Sequence, residues 1–149
     1  MARVLITGMS GTGKSTLLEV LAERGHLTVD TDYDGWTLAD GRWDTTKMSG
    51  LLDREPDVVV AGTVDNQGDF YDRFDHVVLL TAPLGILIER VSSRTTNPYG
   101  QTADEQVEIA RYVQTVEPLL RRTATIELDG QASIDELAGA VEELTDNTP

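Results

Sequence analysis

Two rhythms of apolar and polar positions alternate along this chain. RVLIT (Arg3–Thr7), DVVVAG (Asp57–Gly62) and HVVLLT (His76–Thr81) are short, nearly continuous apolar runs. Runs of this length and composition predict strands buried on both faces. HLTVDTD (His26–Asp32) and ATIELDG (Ala124–Gly130) predict two more strands, the first ending in acids. Between the strands the spacing becomes helical. Leu17, Leu18 and Leu21 share one face of a helix from Lys14 to Arg24, with Gly25 as its stop. Thr45–Glu55 turns Met48, Leu51 and Leu52 inward. Pro83 suits the first helical position before Leu84–Arg94. Thr102 with Glu105 reads as a capping box opening a long helix to about Arg122, which Pro118 kinks or splits. Ser133 with Glu136 caps a last helix to about Leu144, and the tail TDNTP is expected to fray. Asp34–Asp44 and Thr95–Gln101 read as loops, and 65–74 as a loop or helical turn.

Strand–helix alternation with doubly buried strands predicts an α/β fold: a single three-layer domain around a five-stranded parallel sheet. In such sheets ligands bind beyond the carboxyl ends of the strands. That rule gathers Gly8–Ser15, Asp30–Asp34, Gly62–Asp65, Thr81–Pro83 and Asp129–Gln131 on one edge.

The loop after the first run is GMSGTGKST (Gly8–Thr16). Gly8, Gly13, Lys14 and Ser15 fit G-x-x-x-x-G-K-[ST], between a strand and a helix as that motif requires. Glycines at 8, 11 and 13 let the loop, through Thr12, turn its N–H groups inward onto oxyanions at the helix N-terminus. Lys14 would bridge the β- and γ-phosphates of a nucleotide, Ser15 would ligate Mg²⁺ and Thr16 would contact the α-phosphate. In DTDYD, Asp30, Asp32 and Asp34 recur at alternate positions and would project to one side of an extended strand end. One such carboxylate can hold a metal-bound water and another can accept a proton from an attacking hydroxyl. Asp34 reads equally as a solvated turn residue.

Composition narrows the partners. The net charge is −14, which repels polyanions, so neither nucleic acid nor an anionic membrane surface is an expected partner. No apolar run approaches the length of a membrane span, and MARVLITG runs straight into a strand pattern, so no signal peptide is expected. The absence of cysteine excludes disulfides and thiolate metal sites and fits a cytoplasmic protein. The two lysines are Lys14 and Lys47, so the ten arginines carry the remaining positive charge.

GMSGTGKST followed by VDTD at this distance resembles the small P-loop kinases related to shikimate kinase, gluconate kinase and adenylate kinase. The resemblance runs from the first strand to the last helix. It implies a central cradle strand, ATP and Mg²⁺ as cofactors, and γ-phosphate transfer to a small-molecule acceptor. By it, Asp30 orients Mg²⁺ through water, and Asp32 binds or deprotonates the acceptor. Arg90 and Arg94, four apart in ILIERVSSRTTNPYG, would share a helix face. Carried over, Arg90 would stack on adenine and Arg94 would reach the transferring phosphate, from a short lid at about 94–103. The backbone of Asp129–Ala132 would frame the base. Gly62 would let backbone approach the acceptor.

The acceptor itself stays open: a nucleotide, a nucleoside, or a small polyol or shikimate-like molecule. A short region at about 33–56 offers Arg42, Lys47, Arg54, Trp36 and Trp43 for it, with Trp36 able to stack a base or sugar and Trp43 equally a core residue. The third strand lacks an aspartate at its end, so Asp30 rather than Asp65 is the expected metal partner. DNQG (Asp65–Gly68) mimics a GTPase motif, but no N-K-x-D accompanies it. An oligomeric motor ATPase is not expected either; a monomer or homodimer is. The alternative of a different class is a nucleotide-binding regulatory or accessory ATPase or GTPase without an acceptor.

Overall fold

The computed structural model of the protein describes residues 1–95 and 97–148. Thr96, assigned above to the lid, and Pro149, the end of the tail, lie outside the described residues. Five strands form one parallel sheet in the order β2-β3-β1-β4-β5. They are β1 (Arg3–Thr7), β2 (Thr28–Asp30), β3 (Val58–Ala61), β4 (His76–Thr81) and β5 (Ile126–Asp129). β1 is central, in register with β3 through Val4↔Val59 and with β4 through Ile6↔Val78. The most apolar strands are the inner ones because helices cover both faces of the sheet.

Alternate side chains build two cores. Val4, Ile6, Val59, Ala61, Val78 and Leu80 pack on α1 (Lys14–Glu23) and α6 (Ile134–Asp146). Leu5, Val58, Val60 and Val77 point the other way, onto Trp43, Phe70, Phe74 and the Met48–Leu51–Leu52 face of α2 (Thr45–Arg54). A smaller cluster joins Met9, Leu79, Leu87 and Leu120, tying β4 to α3 (Leu84–Ser93) and α5 (Glu117–Thr123). Local signals explain the helix ends. Gly25 (φ 95°) stops α1: its N–H donates to Ala22 O and that of His26 to Leu21 O, the paired bonds of a left-handed C-terminal cap. Asp44, Thr102 and Ser133 each accept a bond from the backbone three residues on, capping α2, α4 (Ala103–Thr115) and α6. Pro118, in the first turn of α5, accompanies the break from α4 at Val116.

Several sequence expectations need correction. Pro83 is extended (ψ 147°) and caps α3 rather than opening it. Arg94 is also extended (ψ 150°), so it leaves the helix and does not share a face with Arg90. β2 ends at Asp30, and Asp34 sits at φ 64°, so the three acids do not alternate along one strand. The tail is tied down as far as it is described. The N-terminal ammonium donates to Thr145 O and Thr148 O, and the Thr148 hydroxyl bonds both Leu144 O and the His76 ring.

Candidate active site

The carboxyl edges of β1, β2 and β3 bring together the cradle, the acids after β2 and the Gly62–Asp65 turn. Gly8 can only be glycine: at φ 151° a Cβ would sit 2.5 Å from Leu80 O. Beyond it, Thr12 is buried and its hydroxyl donates to Met9 O at 2.9 Å. Lys14 curls back over the loop, donating from Nζ to Gly8 O at 2.6 Å and Met9 O at 3.1 Å. Burial lowers its pKa from 10.5 to about 8, against the opposing pull of Asp32 and then Asp30, with Arg94 adding to the fall.

Ser15 Oγ donates to Asp30 Oδ2 at 2.6 Å. A hydroxyl and a carboxylate turned to one point are hard oxygen donors of the kind that suits Mg²⁺. Among the described residues no group of three or more acids or histidines is placed to hold a metal ion by itself. Asp32 stands beside them, its N–H donating to Asp30 Oδ1. Asp32 is exposed as a residue but lines both clefts, and partial loss of hydration there raises its pKa, opposed by Lys14; Asp30 adds to the rise and Arg94 opposes it.

Two clefts meet at this point. One, of about 330 Å³, runs along Gly11, Gly13–Thr16, Tyr33, Arg90 and Arg94. The other, of about 410 Å³, lies between Thr63–Asp65 on one side and Tyr99 with α4 and α5 on the other. Ser10, Lys14 and Asp32 line both. Beneath the second cleft a buried polar chain supports the floor: Thr63 donates to Gly8 O at 2.7 Å and meets Thr7 at 3.0 Å, and Gln67 bonds both Thr7 and Tyr71.

The arginines hold backbone. Arg90 donates to Gly11 O, Thr12 O and Gly130 O, joining the cradle to the turn after β5. Arg94 donates to Asn97 O at 2.9 Å and Tyr99 O at 2.6 Å, fixing the loop that walls the cleft. Asp129 lines neither cleft; its carboxylate accepts from Gln131 N–H. Of the region 33–56, Tyr33 alone reaches a cleft. Trp36 has Lys47 Nζ 4.4 Å from its ring centroid and its other contacts in the core, and Trp43 is wholly buried, with Nε1 unpartnered among the described residues. Gly62 serves packing rather than the acceptor. A Cβ there would overlap Thr31 Oγ1 and come within 3.3 Å of the Trp43 ring. Thr63 lies in the Gly62–Asp65 turn that the strand order places on this edge, whereas the cleft-lining Glu108, Tyr112, Val116 and Leu120 have no part in the sequence reading of the site. Glu108 and Tyr112, four apart, share one face of α4, whereas Val116 stands at the break and Leu120 on α5.

A glycine-rich cradle on the central strand of a β2-β3-β1-β4-β5 sheet defines a P-loop nucleotide-binding fold. A family model described as an AAA domain matches residues 4–111, and the chain belongs to that P-loop family. Shikimate kinase from Acinetobacter baumannii, solved with shikimate, has the same fold: TM-score 0.76 over 100% of this chain and 96% of that one, at 20% identity. A gluconokinase from Sinorhizobium meliloti gives a TM-score of 0.65 over 97% and 91% of the two chains, also at 20% identity. Dephospho-CoA kinase of Deinococcus radiodurans is 38% identical over 69 residues, 44% of this chain and 30% of that protein. A nucleotide-binding protein of Cupriavidus taiwanensis is 31% identical over 118 residues, 70% of this chain and 38% of that protein. The matches therefore span well under half the length of these two curated relatives. The fold is that of the small P-loop kinases, as expected.

Proposed function

We propose that the protein is a kinase that binds Mg-ATP in the cleft along Gly11–Thr16 and transfers its γ-phosphate to a small-molecule acceptor in the cleft beside it. The observation that carries this reading is that Lys14 and Asp32 line both clefts, at the point where a donor and an acceptor would meet. A nucleotide-binding module without an acceptor has no use for the second cleft.

The residues then take these roles. The loop N–H groups and Lys14 bind the β- and γ-phosphates, and Lys14 exchanges the Gly8 and Met9 carbonyls for them. Ser15 and Asp30 would hold Mg²⁺, which when bound offsets negative charge on the phosphates. Asp32 takes the proton of the acceptor hydroxyl as its oxygen bonds to the γ-phosphorus and ADP leaves. Its raised pKa makes it a better base than an ordinary aspartate. Arg90 borders the base side, joining the cradle to Gly130. Arg94 keeps the lid loop over the site, and its charge acts on Lys14 and Asp32. ATP as donor, the acceptor's identity and a cytoplasmic location belong to this same reading.

A second reading has an observation of its own. The relative matched over the longer stretch, 118 residues, is described simply as a nucleotide-binding protein. Such a module would bind ATP or GTP and turn it over slowly. ADP release measured against a panel of hydroxyl acceptors separates the two. The kinase reading expects stimulation above the water background that Asp32→Asn removes. A flat panel, with Asp32→Asn turning over like the parent, would support the accessory module. Lys14→Ala weakens nucleotide binding under either reading.

A further inference from the structure

We infer that the acceptor is a hydroxyl compound that carries an ammonium group and no anionic group; this rests on the kinase reading and names its substrate class. The cleft beside the cradle has a lopsided set of charges. Asp32, Asp65 and Glu108 line it, and among the described lining residues Lys14 is the one cation. Lys14 belongs to the donor phosphates. An acceptor bearing carboxylate or phosphate would therefore lie among three acids, beside the incoming triphosphate, with no cation left to pair with it.

The cations expected to serve an anionic acceptor are turned elsewhere. Arg42 pairs with Asp40 at 2.9 Å, Lys47 donates to Asp34 O and covers Trp36, and Arg54 stands 4.0 Å from Glu55. None of them lines the cleft. Arg90 and Arg94 line the other cleft, on the nucleotide side.

The wall opposite Asp65 suits a cation in its own right. Two tyrosines, Tyr99 and Tyr112, flank Glu108 there. The Tyr99 hydroxyl donates to Glu108, and burial followed by that bond raises the phenol's pKa, so the phenol remains a donor. The Arg111 guanidinium stands 5.9 Å from the Tyr112 ring centroid, so Tyr99 is the aromatic face left for a ligand, and a ring beside a fixed carboxylate attracts an ammonium through both its quadrupole and the charge. Val64, Val116 and Leu120 add apolar surface for a carbon chain. Asp32 is left to meet the hydroxyl, while Asp65 and Glu108 meet the ammonium end.

A matched series tests this: 1-amino-1-deoxysorbitol, sorbitol and gluconate differ only at carbon 1, as ammonium, hydroxyl and carboxylate. Binding of each, up to tens of millimolar, is followed by amide shifts of the Mg-ADP-loaded protein at Val64 and Tyr112. The amine should bind at least tenfold more tightly than gluconate, with sorbitol between. Asp65→Asn and Glu108→Gln should each reduce the amine-to-sorbitol ratio severalfold. Equal or tighter binding of gluconate, an unchanged ratio in both variants, or no shift at the cleft with any of the three overturns the inference. ADP release with a wider set of amino alcohols and polyols is a separate readout. Release with a carboxylate acceptor alone defeats the inference and leaves a kinase. Amine binding at the cleft without release from any acceptor defeats the kinase reading and sustains the charge preference.

Discussion

Raising the pH from 7 to 9 should weaken nucleotide binding about tenfold, because Lys14 is a charged ligand with a depressed pKa. In the free protein, burial brings that pKa down to about 8. The Nζ has two backbone carbonyls as acceptors, and the carboxylates of Asp32 and Asp30 compensate only part of its lost hydration. A triphosphate requires the ammonium form. With a pKa of about 8, the lysine is about nine-tenths protonated at pH 7 and about one-tenth at pH 9. Bound phosphates hold the proton, so the complex has the higher pKa and the free protein the lower. Affinity is therefore full below the free pKa and falls as pH rises through it. The loss between pH 7 and 9 is about 1.4 kcal/mol, the worth of one pKa unit. Titration calorimetry with a non-hydrolysable ATP analogue, repeated in two buffers of different ionisation enthalpy, measures the proton directly. Uptake should be about 0.1 proton at pH 7 and about 0.9 at pH 9. Lys14→Gln should bind more weakly at pH 7 and lose the slope. Affinity that stays level from pH 7 to 9, with no proton taken up, would refute the depressed lysine and the role it supports.

Other perturbations separate the parts of the site. Asp32 has a raised pKa, so acceptor-dependent kcat/KM should fall as pH drops through a value above the ordinary aspartate range, and Asp32→Asn should lose about 10²–10⁴-fold; a profile flat to pH 4 would exclude it as the base. Gly62→Ala should cost about 1–3 kcal/mol by forcing Thr31 and Trp43 apart, read as a lower Tm; a loss of acceptor affinity at unchanged Tm would return Gly62 to the binding surface. Arg90→Lys should lower nucleotide affinity about tenfold with little change in Tm, since one ammonium cannot span the Thr12 and Gly130 carbonyls as the planar fork does. Parent-like affinity in that variant would show that the bridge does not shape the nucleotide cleft.

Much of the fold was legible because its signals are local. A continuous apolar run marks an inner parallel strand, and β4 was bounded to the residue, His76–Thr81. Thr102 and Ser133 announce their helices through the N–H groups they cap. The sequence misleads where a residue's conformation depends on partners outside its own element. Arg94 continues the helical spacing of Arg90, yet it leaves the helix with its guanidinium on Asn97 O and Tyr99 O. The tail has a fraying composition, but the N-terminal ammonium and His76 supply its partners from the far end of the chain.

The same distinction divides the candidate site. Its nucleotide side is written in nine consecutive residues, Gly8–Thr16, because a phosphate cradle needs adjacent N–H groups, and adjacent groups leave a motif. The opposite side has no such constraint. Strand order already brings Asp65, in the turn after β3, to this edge, but Glu108 and Tyr112 come from α4, so sequence distance conceals their wall. The region between β2 and β3 offers Trp36 with Arg42, Lys47 and Arg54, large and cationic side chains that stand out in an acidic chain. The structure commits those cations to Asp40, Asp34 and Glu55, and it leaves three carboxylates facing the space beside Lys14. Charge, rather than shape alone, thus becomes the discriminating property of that cleft. On the kinase reading, a cleft lined by three acids and Lys14 favours an acceptor with a cationic group, and Asp65 and Glu108 are the residues that would set that preference.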